Sequence, residues 1–206
     1  FENGSTATFT RDYSGTNNSG RNNGTVNGAT FNATGGVDGR GAYEFDGNDD
    51  NISLGNPSQL NFSNNDYTIT VWINSTGSNS IGRQGIFDKF DSSGSFIVGG
   101  YIFELLSGNP RWQVRNLTST GVTVTSSTNV SDSKWHHLVA MRNGSTLVIF
   151  IDGVQAASAS GLTVATDTTR NATIGRFVQV SGTFNGTIDE LVVYNRTLSA
   201  QEVLVL

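Results

Sequence analysis

From Ala42 onward, short runs of Val, Ile, Phe, Tyr and Thr alternate with clusters of Gly, Asn, Ser and Asp, the pattern of many antiparallel strands joined by polar turns. The spacing predicts strands at 42–46, 51–54, 67–74, 85–90, 97–106, 111–116, 122–125, 135–142, 147–151, 154–158, 172–176 and 187–194. One helix is predicted, at 200–204, where Ser199 is placed as the cap and Glu202 completes a capping box. The clearest hairpin follows the apolar run 147–151, where Asp152-Gly153 supplies the two positive-φ residues of a tight turn. That unbroken run predicts a strand covered on both faces.

The first forty residues differ. The stretch from Asp12 to Gly24 is almost wholly polar and rich in glycine, so it needs an ion or dense hydrogen bonding to hold it. With 206 residues, no cysteine, and neither an internal repeat nor a linker-like break, the chain reads as a single all-β domain, 1–206, that folds without disulfides. Two lysines, a formal charge of −5 and no cationic run exclude an electrostatic footprint for nucleic acid or anionic membranes. No apolar run is long enough for a membrane span, and the Phe1-Glu2-Asn3-Gly4 start lacks the features of a signal peptide, which reads as a mature protein or a piece of one.

Thirteen Asn-x-Ser/Thr triplets begin at Asn3, Asn17, Asn23, Asn32, Asn51, Asn61, Asn74, Asn116, Asn129, Asn143, Asn171, Asn185 and Asn195. Chance placement in this composition gives about five, so the excess points to N-linked sugar and an extracellular or cell-surface location. The competing reading is conformational, because Asn and Gly supply the positive φ of tight turns.

Four pieces in fixed order resemble the laminin-G-like (concanavalin A-like) jelly-roll family over essentially the whole chain. They are Asp12-Tyr13-Ser14-Gly15 leading to Asn22-Asn23-Gly24-Thr25; Gly41-Ala42-Tyr43-Glu44-Phe45-Asp46-Gly47-Asn48-Asp49-Asp50; Trp135-His136-His137-Leu138-Val139-Ala140 with Phe150-Ile151-Asp152-Gly153; and the run from Phe184 to Ser199 containing Ile188-Asp189-Glu190-Leu191. The 67–73 segment fits the family's central strand. The resemblance implies two antiparallel sheets packed face to face, a secreted module that binds glycans or surface proteins, and no catalytic chemistry. Relatives begin with more of the first strand ahead of Phe1-Glu2, including an aromatic residue.

In the last strand, alternation predicts Asp189, Leu191 and Val193 on one face and Glu190, Val192 and Tyr194 on the other. A carboxylate at the head of an apolar face must be neutralised or hydrogen-bonded. Asp12 offers a second carboxylate, and Asn22 or Asn18 an amide oxygen. With backbone carbonyls these would form an oxygen shell suited to calcium (Ca2+). The resemblance implies the same, one structural calcium between the first loop and the last strand. The alternative is that Asp12 and Asp189 only accept backbone N–H groups in turns. Asp46, Asp49 and Asp50 form another acidic cluster, which the family pattern reads as a hairpin cap. His136 and His137 are adjacent on one strand, point to opposite faces, and form no shared ligand pair.

For sugar, exposed aromatic faces are expected at Tyr101, Trp112 and Phe177, with Gln113, Arg115, Asn116 and Arg176 nearby, while Trp72 and Trp135 are assigned to the core. Core packing is the alternative for Trp112. A β-glucanase of this fold would carry Glu-x-Asp-x-Glu on one strand; Glu44-Phe45-Asp46 has no second glutamate beyond, so hydrolysis is disfavoured. No Gly-x-Ser-x-Gly elbow appears either. The expected function is a non-catalytic binding or adhesion module for a glycan or surface protein. The rival is a structural subunit that forms a homo-oligomer or filament by strand addition at an edge.

Overall fold

A computed structural model describes residues 5–14, 22–77, 82–91, 99–116, 120–163, 168–178 and 182–206. In chain order the strands are β1 (Phe9–Thr10), β2 (Gly24–Asn27), β3 (Thr30–Asn32), β4 (Ala42–Asp46), β5 (Asn51–Gly55), β6 (Tyr67–Ser75), β7 (Arg83–Phe90), β8 (Gly100–Leu106) and β9 (Asn109–Arg115). They continue as β10 (Gly121–Thr125), β11 (Trp135–Asn143), β12 (Thr146–Ile151), β13 (Val154–Ser160), β14 (Ala172–Ile174), β15 (Arg176–Phe177), β16 (Gly182–Thr183) and β17 (Asn185–Tyr194). One helix, α1 (Ala200–Leu204), ends the chain.

Two large antiparallel sheets form a sandwich. The eight-stranded sheet runs β1-β2-β5-β14-β7-β8-β9-β10, the seven-stranded sheet β13-β12-β11-β6-β17-β4-β3, and β15 and β16 pair as a small separate ribbon. Alternation along each strand sends one set of side chains between the sheets. Ile69, Val71, Ile73, Leu138, Ala140 and Ile188 from one sheet meet Ile52, Phe87, Phe103, Trp112 and Val114 from the other in a continuous core. An aromatic cluster sits at its centre: Phe62 stacks on Tyr67 at 4.1 Å, and Trp112 meets Tyr67 edge-on at 5.8 Å.

The predicted helix and hairpin are present. Glu202 N–H donates to Ser199 Oγ and Ser199 N–H donates back to Glu202, closing the capping box, and Val203 is buried with Val139, Met141, Val148, Phe150 and Leu198 on the outer face of the seven-stranded sheet. This second cluster explains the unbroken apolar run of β12, which faces the sandwich core on one side and α1 on the other. Asp152 and Gly153 both have positive φ (50° and 79°), as the turn requires. Among the described residues, no helix is long and apolar enough to cross a membrane.

The last strand departs from simple alternation. The β17–β6 register shifts between Asp189 and Val192, and Glu190 adopts a left-handed φ of 45°. The bulge spends one residue without turning the strand over, so Ile188 lies inside and Asp189 outside, while Leu191 and Val193 return to the core. Asp189 therefore does not share a face with Leu191 and Val193.

Candidate functional site

A row of polar side chains crosses the outer face of the eight-stranded sheet. Because Val26, Ile52, Phe87 and Ile174 point into the core, their neighbours Thr25, Ser53, Asp88 and Thr173 point out, and the register aligns them: Thr25 opposite Ser53, Ser53 opposite Thr173, Thr173 opposite Asp88. Asn51 and Asn27 form the next rung, joined by an Asn27 Nδ2 to Asn51 Oδ1 bond of 3.0 Å. Segment 169–171 and Val178 rise beside this row and make it a groove of about 490 Å³, with Arg170 and Asn171 on its wall. Arg170 pairs with Asp91 at 3.0 Å and stays nearly half exposed.

Asp88 anchors one end of the groove. Its carboxylate accepts the N–H groups of Phe90 (2.9 Å) and Val178 (3.1 Å), so it fixes the chain that leaves β15 over the sheet. Burial raises its pKa to about 7 against the lowering effect of those bonds. At neutral pH the groove thus holds a carboxyl that can donate or accept.

The aromatic expectations fall elsewhere. Trp112 and Tyr101 point between the sheets, 0% and 5% exposed, with the Tyr101 hydroxyl donating to Leu60 O. Phe177 is 3% exposed and packs with Phe90 and Ile102 under the Arg83 guanidinium, 4.3 Å from its ring. None of the three presents a face for stacking, because alternation from Phe103 and Val114 turns Tyr101 and Trp112 inward. Gln113 and Arg111 instead join Arg83 around the fully buried Glu104, a network that closes this part of the sheet. Arg115 and Asn116 end the same strand, and Arg176 reaches toward Asp49 O. Conversely Trp72 and Trp135, expected in the core, are half-buried on the outer face of the seven-stranded sheet.

The calcium candidates divide. Asp12 and Asn22 come together: Asp12 accepts the N–H groups of Ser14 and Asn22, each at 2.8 Å, and both residues line a cavity of about 410 Å³ with Glu190 and the apolar Leu54, Leu60, Phe87 and Ile174. Asn22 Oδ1 is buried there with no hydrogen-bond partner among the described residues, an acceptor that a cation or water would satisfy. Asp189, 1% exposed, is not part of that lining; it accepts the N–H groups of Val37 (3.0 Å) and Glu190 (2.8 Å) on the outer side of the bulge. Asn18 lies outside the described residues. Asp46, Asp49 and Asp50 place one oxygen each within 4.8 Å of one another, and Asp46 takes both the backbone and side-chain N–H of Asn48, as in a hairpin cap.

The histidines serve the hairpin. His136 lies between Asp152 (2.8 Å) and Asp132 (3.2 Å), and His137 is buried against Trp72 at 5.1 Å between ring centroids. Glu44 and Asp46 both face solvent on β4. Hydrogen bonds from Asn48 hold the Asp46 pKa below its ordinary value, the opposite of what a proton donor needs.

The Asn-x-Ser/Thr asparagines are unequal. Asn23, Asn129, Asn143, Asn171 and Asn195 are exposed; Asn32, Asn51, Asn61, Asn74, Asn116 and Asn185 are half-buried; Asn3 and Asn17 lie outside the described residues. Several are engaged in turns: Asn129 accepts Ser131 N–H and donates to Ser107 O, and Asn116 accepts Thr120 N–H. On a strand the triplet has a further consequence. Positions i and i+2 share a face, so Asn51 and Ser53 set an amide and a hydroxyl side by side in the groove, while Asn171, just ahead of β14 and its irregularity at Ala172, lines it together with Thr173. Two of the groove's pairs thus lie inside triplets that also read as sugar-attachment signals.

Several solved structures share this sandwich fold. The binding domain of Paraclostridial Mosquitocidal Protein 1 superposes with a TM-score of 0.73 at 19% identity, covering 87% of this chain and 45% of that one. The botulinum neurotoxin serotype G binding domain gives 0.70 at 14% identity over 98% and 50%. Domain 4 of a GH43 extracellular arabinanase from Geobacillus stearothermophilus, solved with arabinotriose, gives 0.65 at 18% identity over 87% and 81%. The chain spans about half the length of the first two. No curated protein matches it. A family model described as the Concanavalin A-like lectin/glucanases superfamily matches residues 45–204, and with the two-sheet sandwich built above, the chain belongs to that family.

Proposed function

We propose that this domain is a non-catalytic carbohydrate-binding module of an extracellular protein, and that it takes its glycan in the groove on the outer face of the eight-stranded sheet. The observation that carries this reading is the convergence of Asn51, Ser53, Asp88, Arg170, Asn171 and Thr173 on one open depression. Amide, hydroxyl, carboxyl and guanidinium groups held on paired strands match the alternating donors and acceptors of sugar hydroxyls, and Phe90 adds apolar surface. Two structural neighbours solved with a sugar, the arabinanase domain with arabinotriose and a botulinum neurotoxin serotype D ligand binding domain with N-acetylneuraminic acid, support the class.

Calcium belongs to the same proposal as a stabiliser. Asp12 and Asn22 would hold it, with the orphaned Asn22 Oδ1 as the fitting donor, and Asp189 would act at one remove by fixing the bulge that turns Glu190 into the cavity. Bound there, the ion would supply charge neutralisation that ties the opening loop to the last strand. N-linked sugar is proposed for the exposed Asn23, Asn129, Asn143 and Asn195, which lie outside the groove.

A glycan array probed with the chain tests the class. Retention of a defined oligosaccharide supports it, and retention of none overturns it.

A further inference from the structure

The outer face of the seven-stranded sheet holds an uncommitted aromatic surface. Since Ile73, Leu138 and Ile188 point into the core, Trp72 and Asn74 of β6, Trp135 and His137 of β11, and Thr187 of β17 point outward. The register sets Trp135 opposite Asn74 and Asn74 opposite Thr187, with His137 opposite Trp72 one rung inward. Cross-strand neighbours on one face stand about 5 Å apart and diagonal ones about 7 Å, so the two indoles and the amide form one contiguous patch.

Both ends of this face are covered and the middle is not. Leu198 and Val203 pack over Val139, Met141, Val148 and Phe150. On the far side the Val37 N–H closes onto Asp189. Trp72 and Trp135 are half-buried, and among the described residues neither indole N–H makes a hydrogen bond or is a buried unpartnered group, whereas that of Trp112 is. Both donors are open to solvent. Trp72 rests on the buried His137 ring, 5.1 Å away and tilted by 34°, which holds it in place.

We propose that Trp72, Trp135, Asn74 and Thr187 form a second, flat platform that binds a neutral polysaccharide chain, independent of the groove on the opposite sheet. The indole faces meet the apolar C–H surfaces of sugar rings, while the free indole N–H groups, the Asn74 amide and the Thr187 hydroxyl meet their hydroxyls. Trp72, Trp135, Asn74 and Thr187 carry no charge, and the exposed Glu44 lies opposite Thr187 at the edge of the patch, so the surface is suited to neutral rather than anionic glycans. Two sites on opposite faces would let one domain bridge two polysaccharide chains and gain avidity without further contacts.

The chain has three tryptophans and hence three indole N–H signals, which makes the test direct. The 15N-labelled protein, with signals assigned by single Trp→Phe substitutions, is titrated with arabinotriose and with cellohexaose. The Trp72 and Trp135 signals should move with at least one of these sugars while Trp112 stays fixed. Trp135→Ala, which truncates an outward side chain, should weaken that binding by at least about tenfold without changing the other core signals, equivalent to about 1.4 kcal/mol. Ser53→Arg, which fills the groove, should leave the Trp72 and Trp135 shifts intact. Indole signals unmoved by both sugars, shifts only with 3′-sialyllactose, or an unchanged affinity in folded Trp135→Ala would overturn the proposal. Loss of the groove signals alone would count against the groove and not against this platform.

Discussion

Ser53 and Thr173 face each other directly across the β5–β14 ladder, and the asparagines two residues before them, Asn51 and Asn171, line the same groove. Two attachment triplets therefore point into one proposed binding surface. A sugar linked at Asn51 or Asn171 would fill the space a ligand needs, so occupancy and binding should be mutually exclusive there. Peptide mapping of secreted protein should find Asn129, Asn143 or Asn195 occupied and Asn51 and Asn171 bare in the fraction that binds glycan. Binding by molecules carrying sugar at Asn51 would contradict this.

Asp88 should make stability depend on pH in an unusual direction. Burial raises its folded pKa to about 7 from 3.8, so as pH rises from about 4 the unfolded chain ionises first and is favoured. Stability from this group is greatest below about pH 4, falls up to about pH 7, and is flat beyond. Asp88→Asn should abolish that slope while adding a constant cost for the weakened Phe90 and Val178 N–H bonds. The stability advantage of the wild type over the variant should therefore shrink or reverse between pH 4 and 7, by on the order of a few kcal/mol at most, read from urea unfolding curves. Parallel profiles would show that Asp88 does not titrate in this range.

Asp12, Asn22 and Asp189 should separate under chelation. EDTA should lower the melting temperature of the wild-type chain, and Asn22→Ala should remove that sensitivity. Asp189→Ala should instead cost about 1–3 kcal/mol with or without chelator, because it strands the partly buried N–H groups of Val37 and Glu190. Differential scanning calorimetry with and without EDTA reads both. A wild-type protein indifferent to chelator would remove calcium from the account.

Most of the architecture was legible because its cause is local. Alternation located the strands from β4 to β14 and β17 but not the short β1, β2, β3 and β16, while Asp152-Gly153 located the hairpin and Ser199 with Glu202 the helix, since each of these depends on a few neighbouring residues. What was misread depends on which face of a strand is covered. Trp112 stands between Arg111 and Gln113 and points between the sheets, whereas Trp72 stands between the core residues Val71 and Ile73 and points out, so the size of the ring alone does not mark the covered face. The bulge at Glu190 was equally invisible: a left-handed glutamate has no sequence signature, and it reversed the side on which Asp189 lies. The groove draws on β2, β5, β7 and β14 and on segment 169–171, residues far apart in the chain that only the sheet order β2-β5-β14-β7 brings together.

The groove is tested most directly by isothermal titration of the glycan retained on an array against the wild-type chain and against Ser53→Arg. Ser53 points outward from the middle of the row, so arginine there should fill the depression and leave the core untouched. The wild type should bind saturably, and the variant should lose at least about tenfold in affinity at unchanged melting temperature. Equal affinity in the two proteins would contradict it.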